Sequence, residues 1–328
     1  MNVLVTGGAG FIGSHIVDAL VQQGHKVVVV DDLSTGFAQN LNPHARFYEM
    51  SICNPQLAEV FEQEKLEVLN HQAAQMVIQR SVEDPIFDAE QNILGSLNLI
   101  LNCIRFEVKK IIYASSGGAV YGEPEYLPVD ERHPVNPISQ YGVSKHTVEH
   151  YLHLYCVQYG LDYVVLRYSN VYGPRQNPEG EAGVVAIFAR HMLRGESPTI
   201  FGPGDKTRDY TYVADVAMAN LLAMQRDGKG IYNIGTGVET SDMKMFDTLA
   251  EILGYQGAPH CGQVRKGEIY RICLNSSKAS RELGWQPQVS LKEGLLQTVG
   301  YYKAHSILSG SKPPEGVPFK QRNKRLRG

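Results

Sequence analysis

Thr6-Gly-Gly-Ala-Gly-Phe-Ile-Gly13 stands directly between a strand-like run, Val3-Leu-Val5, and a segment with helical spacing, Gly13–Gln23. That context turns a weak glycine pattern into a dinucleotide-binding turn. Gly7 permits the tight turn, Gly10 lets the backbone approach a pyrophosphate, and Gly13 lets the helix pack close to the strand, while the helix N-terminus offers N–H donors to the anion. Eighteen residues beyond Gly13, the run Val27-Val-Val-Val30 ends in Asp31-Asp32. A carboxylate there accepts hydrogen bonds from both hydroxyls of an adenosine ribose and repels a 2'-phosphate, and no Arg follows to receive one. The expected cofactor is NAD, with Asp31 the preferred ribose ligand and the other aspartate free to cap the following turn.

Outward from this turn, the first half alternates short β-branched runs with longer helical patterns. Val68-Leu69, Ile111-Ile-Tyr113 and Val164-Val-Leu166 continue the strands, and Pro55–Glu64, Ala89–Phe106 and Tyr141–Tyr159 carry apolar residues at three- and four-residue spacing. This is an α/β pattern, a Rossmann-type doubly wound parallel sheet. After Arg167 it loosens into Gly- and Pro-rich stretches, Gly173-Pro174 and Gly202-Pro203-Gly204, which suit a smaller mixed α/β substrate-binding domain. The expected division is 1–167 with about 207–240 for the NAD-binding domain, 168–206 with 241–311 for the substrate domain, and 312–328 as a disordered basic tail.

Composition narrows the function. The 328 residues are 43% hydrophobic, enough for a large core with a smaller one attached. Lys and Arg total 31 against 34 Asp and Glu, a net charge of -3, so nothing marks a nucleic-acid or anionic-membrane partner and a small substrate is expected. The five cysteines form no CxxC pair and read as free thiols. No run approaches the ~18 apolar residues of a membrane span, and the opening strand lacks signal-peptide features, so a cytoplasmic protein is expected. His71 has no second ligand at metal spacing and reads as a structural histidine; no metal is expected.

Tyr141-Gly-Val-Ser-Lys145 begins a helix, which puts Tyr141 and Lys145 on one face. A free Tyr, with pKa near 10, is a poor base at pH 7; a neighbouring ammonium, helped by a positively charged nicotinamide, is expected to lower it. The stretch Ala114-Ser115-Ser116-Gly-Gly-Ala-Val-Tyr121-Gly122 supplies a hydroxyl at the end of the preceding strand, on the edge that faces the ligand crevice.

With these elements in order, the chain resembles the extended short-chain dehydrogenase/reductase family, nearest its UDP-glucose 4-epimerase branch, over almost its whole length to about Tyr302. The resemblance rests on the glycine turn, Asp31-Asp-Leu-Ser-Thr-Gly36, His71-Gln-Ala-Ala74, Asn92, the Ser-Ser…Val-Tyr-Gly stretch, Tyr141 with Lys145, Arg167-Tyr-Ser-Asn170, Arg208-Asp-Tyr210 and Tyr232-Asn-Ile-Gly235. It implies that Tyr141 takes the proton of a sugar 4-hydroxyl while C4 hands a hydride to NAD. Ser116 then bonds the same oxygen, Lys145 holds the nicotinamide ribose, and the 4-keto sugar turns over to take the hydride back on its other face.

The same resemblance implies the binding residues. For the cofactor they are Gly7, Gly10, Phe11, Ile12, Gly13, Asp31, Asp32, Ser34, Thr35, Gly36, Ser51, Ile52, Gln72, Ala73, Ala74, Asn92, Ser115, Tyr141, Lys145, Tyr168 and Val171. For the UDP-sugar they are Ser116, Tyr141, Asn170, Val184, Val185, Thr199, Phe201, Arg208, Arg265, Glu268 and Ile272, with the guanidinium groups on the diphosphate and Phe201 near the uracil. Helices such as that of Tyr151, Tyr155 and Tyr159 pair across a homodimer in this family, and a homodimer is expected.

The chain also departs from the family. Counting from the strand Lys110-Ile-Ile-Tyr113 makes Ser116 the catalytic hydroxyl, twenty-five residues before Tyr141, whereas counting back from Val120-Tyr-Gly puts Gly117 there; the strand register is favoured. Ser51-Ile52 replaces an Asp-Ile pair at the adenine. Ile272 holds the position that decides whether a 2-acetamido group fits, and it is neither the large Tyr nor the small Ser or Cys, so glucose against N-acetylglucosamine stays open. The nearest alternative is an epimerase of UDP-glucuronate or a UDP-N-acetylhexosamine. A 4,6-dehydratase ranks lower because Gly117-Gly118-Ala119 offers no acid for the departing 6-hydroxyl. A reductase would consume added NADH, and a non-catalytic NAD-binding protein would be expected to have lost Ser116, Tyr141 or Lys145.

Overall fold

The computed structural model describes residues 1–178, 183–264 and 269–305. Strands β1 (Asn2–Thr6), β2 (Lys26–Asp31), β3 (Arg46–Glu49), β4 (Val68–His71), β5 (Lys110–Ser116) and β6 (Asp162–Tyr168) lie in one sheet. The short strands β7 (Asn170–Tyr172), β8 (Thr199–Phe201) and β9 (Thr207–Tyr212) lie outside it, and β10 (Gly230–Ile234) returns to complete the order β10-β6-β5-β4-β1-β2-β3. Every neighbouring pair is parallel. The strand order reverses between β1 and β4, so a crevice opens at their carboxyl ends, where Thr6 pairs with His71.

The unbroken valine runs follow from burial on both faces. Val3 and Val5 join one core cluster, with Ile16 and Leu20 of helix α1 (Phe11–Gln22), while Leu4 between them joins the other, with Val60 and Phe61 of α2 (Leu57–Glu64). After β4 come α3 (Ile78–Glu83) and α4 (Pro85–Ala89), then a π turn, Glu90–Leu94, running into α5 (Gly95–Arg105). Beyond β5 lie α6 (Gly117–Val120) and the long α7 (Gln140–Tyr159). Ser139 caps α7 by accepting from Gly142 N–H at 3.2 Å, and Gly160, in the left-handed region at φ +71°, ends it.

The periodicity of 89–106 predicts one helix, but that segment is broken. Asp84 caps α4 by accepting from Phe87 N–H, with Pro85 in the first turn, so helical backbone starts earlier and the π turn takes up the register. The edge strand β3, Arg-Phe-Tyr-Glu, also lies outside the strands that the β-branched runs predict. It is half-exposed and carries no apolar run.

Helices α8 (Val184–Leu193), α10 (Asp242–Leu253) and α12 (Leu291–Ala304) form a third core with β7 and β9 through Phe188, Met245, Leu249 and Leu295, whereas α9 (Val213–Gln225) and α11 (Ser277–Leu283) cover the large sheet. In the small sheet β7 pairs β9 in parallel and β11 (Glu239–Ser241) pairs β9 antiparallel; β8 pairs β12 (His260–Gly262). This is the smaller mixed sheet the loosened sequence implied. Among the described residues no helix is long and apolar enough to cross a membrane.

Candidate active site

The glycine turn is built by close approach. Gly7 has φ +70°, its N–H donates to Val30 O at 2.9 Å, and a Cβ on it would lie 2.8 Å from Ala73 N. A Cβ on Gly13 would lie 2.0 Å from Gly7 O, so only glycine lets α1 start this close to β1. Gly10 differs: its Cβ would meet only Gly7 O, at 3.1 Å, so the backbone stays approachable from the other side. No side chain caps α1 and its first turn, with Phe11 and Ile12, holds no acid. Free N–H donors at a helix start, beside an open backbone, suit a pyrophosphate.

Asp31 ends β2 and is buried, accepting from Ala9 N–H at 3.0 Å and Leu33 N–H at 2.9 Å. Burial raises its carboxyl above the usual range, and those two N–H groups oppose the rise. Asp32 is exposed and caps the next turn, accepting from the N–H and hydroxyl of Ser34. Thr35 is exposed, and Gly36 packs on Ala9, where a Cβ would lie 3.0 Å from the backbone. Ser51 Oγ accepts from Cys53 N–H, and Ile52 is buried against Gly95.

On the other side of the crevice, Gln72 donates to Asn70 at 2.6 Å and accepts from Tyr168 at 3.3 Å, while Asn220 donates to the Tyr168 hydroxyl at 2.8 Å. Ala73 and Ala74 continue the loop after β4. Asn92, in the π turn, accepts from Gln75 N–H and donates to Gln75 O, both at 2.9 Å. His71 is buried with Nδ1 2.8 Å from Thr6 Oγ1 and Nε2 2.9 Å from Ser96 Oγ. Both ring nitrogens are thus engaged in holding β1 to β4 and α5.

Burial lowers His71 to about 3, and the Lys145 charge adds to it. Below pH 6.5 the unfolded chain protonates this ring and the native chain does not, so stability falls as pH falls from 6.5 toward 3. At pH 5 the loss from His71 alone is about 2 kcal/mol, at 1.36 kcal/mol per unit. Proton NMR checks this: the His71 ring resonance is expected to stay flat from pH 8 to 5, and titration near 6.5 would refute it.

The catalytic candidates lie at the end of β5 and in the first turns of α7. Ser116 is the last residue of β5 and pairs with Tyr168 of β6. A Cβ on Gly118 would sit 3.9 Å from Ser116 Oγ and 3.8 Å from Asn170 Oδ1, so those two polar atoms flank one open spot. Gly117 faces elsewhere, its Cβ position lying 2.5 Å from Leu274 Cδ1. Ser115 points away, donating to Glu149 at 2.6 Å.

Lys145 is buried, donates to Ala114 O at 2.9 Å, and lies 4.8 Å from the Tyr113 ring centre and 5.8 Å from that of Tyr141. Burial lowers it to about 8, against the pull of Asp88 and Glu149. The Tyr141 phenol is not lowered as expected from the sequence. Burial, then the Asp88 carboxylate, hold it well above its ordinary value.

The substrate-side candidates are more scattered. Val171 lies half-buried in β7 and Asn170 is exposed at its start. Thr199 and Phe201 are half-buried in β8, and Arg208 donates to the carbonyls of Thr207 and Tyr270. Val184 opens α8 half-buried, but Val185 is sealed in the third core cluster. Ile272 is buried with Val120, Tyr121, Val129, Ile269 and Leu274. Arg265, Glu268 and the 312–328 tail lie outside the described residues.

Two buried carboxylates, Asp88 and Asp209, join the site. Asp209 accepts from Thr236, Gly237 and Leu274 N–H groups, joining β9 to the segment that carries Ile272. Asp209 lies inside the Arg208-Asp-Tyr210 stretch, whereas Asp88 sits in no motif and is recognisable only through its burial. Among the described residues no group of three or more His, Cys, Asp or Glu gathers as a metal site.

Residues 3–235 match the NAD dependent epimerase/dehydratase family. The chain belongs to that family. It is 44% identical over 312 residues to the UDP-glucose 4-epimerase of Mycolicibacterium smegmatis, covering 93% of this chain and 100% of that one. The crystal structure of UDP-glucose 4-epimerase from Thermotoga maritima with UDP-glucose superposes with TM-score 0.92 at 50% identity, covering 93% and 99% of the two chains. The Thermus thermophilus UDP-glucose 4-epimerase complex with NAD superposes with TM-score 0.87 at 43% identity, covering 92% and 99%. The fold, the NAD dependence and the isomerase class follow from membership together with these likenesses.

Proposed function

We propose that this chain is a UDP-glucose 4-epimerase that interconverts UDP-glucose and UDP-galactose. The observation that supports the reading is that Ser116 and Asn170 flank one spot at the end of β5 and that Tyr141 and Lys145 share the first turn of α7, in a chain 50% identical to a UDP-glucose 4-epimerase solved with UDP-glucose. NAD, held by the glycine turn and Asp31, would supply a hydride acceptor for C4 of the sugar that can give the hydride back to the opposite face, and so would not be consumed.

This chain's residues do the rest. Gly7, Gly10 and Gly13 with the start of α1 hold the pyrophosphate, and Asp31 holds the adenosine ribose. Tyr141 takes the 4-hydroxyl proton and gives it back, and Ser116 bonds the same oxygen. Lys145 holds the nicotinamide ribose and, as an ammonium, favours the phenolate. Arg208 and Arg265 meet the diphosphate. Gly117-Gly118-Ala119 offers no acid for a departing 6-hydroxyl, which disfavours a dehydratase.

The test is incubation of the purified protein, without added cofactor, with UDP-glucose, UDP-galactose, UDP-N-acetylglucosamine and UDP-glucuronate in separate reactions. Interconversion of the first two supports the reading; conversion only of the acetamido or uronate sugar replaces it with the corresponding epimerase.

The homodimer belongs to the same proposal. Leu94 in the π turn, Leu101 of α5, and Val143, Leu154 and Val157 of α7 are large, apolar and exposed, on helices that pack together. Tyr151 and Tyr155 pack partly on the core, so the pairing surface is this stripe and not the tyrosines alone. Sedimentation at micromolar concentration is expected to give twice the chain mass; monomer alone would end the idea. Five unpaired cysteines fit placement in the cytoplasm.

A further inference from the structure

Asp88 is fully buried in α4 and belongs to none of the binding groups above. Its Oδ1 accepts from Ser81 at 2.6 Å, from the amide of Asn92 at 3.0 Å and from that of Gln75 at 3.4 Å. Its Oδ2 accepts from Ser144 at 2.5 Å. The partners are hydroxyls and amides, so the carboxylate is solvated by dipoles and, among the described residues, paired with no cation at contact distance. An acceptor-only group suits such a ring of donors.

Its position joins two halves of the site. Asn92 and Gln75 belong to the π turn and the loop after β4, on the cofactor side of the crevice. Ser144 precedes Lys145 in the α7 turn that begins at Tyr141. The negative charge acts on both members of that pair, opposing ionisation of Tyr141 and favouring the charged form of Lys145.

We propose that Asp88 is a positioning residue of this site: its carboxylate ties the Tyr141–Lys145 turn to the loop after β4 and, through Ser144, sets a buried negative charge beside that turn. The proposal rests on Tyr141 and Lys145 being the catalytic pair. The other charged or titratable groups facing the pair are His71 of β4, Tyr113 of β5, and Glu149 of α7. Glu149 is already matched by Arg167 of β6, at 2.5 Å, and by His146, at 3.0 Å. His71 stays neutral through the working range, and of the two acids that act on Lys145 Asp88 is the one not matched by an arginine among the described residues.

The experiment is the pH profile of kcat for the cofactor-loaded full chain, comparing wild type, Asp88→Asn and Ser144→Ala. Removing the charge lowers the pKa of both acids, so Asp88→Asn is expected to move both limbs of the profile to lower pH by about one unit. On the alkaline limb that is a fall of about tenfold in kcat at fixed pH. Ser144→Ala keeps the charge and removes one tether; kcat falls several-fold and the limbs stay in place.

An active wild type with an Asp88→Asn profile that is merely lowered, with unmoved limbs, overturns the charge role and leaves the epimerase reading standing. If Asp88→Asn does not fold, Ser144→Ala decides, and a wild-type kcat there overturns the tether. A wild type inactive on every sugar overturns the Tyr141–Lys145 assignment instead.

Discussion

Tyr141→Phe removes one oxygen and is expected to lower kcat roughly a thousandfold while the purified protein keeps its NAD. The phenol is the group placed to exchange a proton with the sugar, and it shares its helix turn with Lys145, whose ammonium lies 5.8 Å from the ring centre. The rest of the ring is untouched, so the half-buried aromatic still packs and neither the glycine turn nor Asp31 is disturbed. Steady-state kcat together with the cofactor content of the pure protein makes the check. Activity within tenfold of wild type would remove Tyr141 from the base role.

Gly13→Ala is the second large effect. The added methyl would lie 2.0 Å from Gly7 O and 2.8 Å from Gly7 C, which are backbone atoms that no rotamer change can clear. Either α1 withdraws from β1 or the Gly7 turn opens, and both spoil the pyrophosphate site. A loss of about 3 kcal/mol, a Tm lower by roughly 6 °C or more, and protein purified without cofactor are expected. Gly300→Ala is the control. It lies in α12, its Cβ meets nothing within 4 Å, and alanine there is expected to stabilise by ~0.5–1 kcal/mol. Equal Tm and cofactor content in the two variants would contradict this account of the turn.

The large sheet was legible because both its faces are buried: Val27–Val30 and Val3–Val5 can read only as doubly covered strands. The glycine turn was legible because it is a matter of sterics, and each of Gly7 and Gly13 has a backbone neighbour that excludes a side chain. Tyr141 and Lys145 share one helix turn, as their four-residue spacing implies, and Ser116 ends β5.

What depends on long-range burial was not legible. The Tyr141 phenol rises because the fold encloses it near Asp88, a residue fifty-three positions away whose role no local motif reveals. The π turn at Glu90–Leu94 hides inside an unbroken helical periodicity. The substrate side rested on resemblance alone, and there the structure spreads the candidates, with Val185 inside a core and Asn170 beside Ser116.

Isotope retention at C4 tests the central claim most directly. UDP-glucose carrying deuterium at C4 is incubated with the purified protein in unlabelled water without added cofactor, and the sugars are analysed by NMR and mass spectrometry. A UDP-glucose 4-epimerase is expected to give a UDP-glucose and UDP-galactose mixture with the deuterium still on C4 and none lost to water. Loss of the label to solvent, or a product altered at C6 with C4 left as a ketone, would contradict the account.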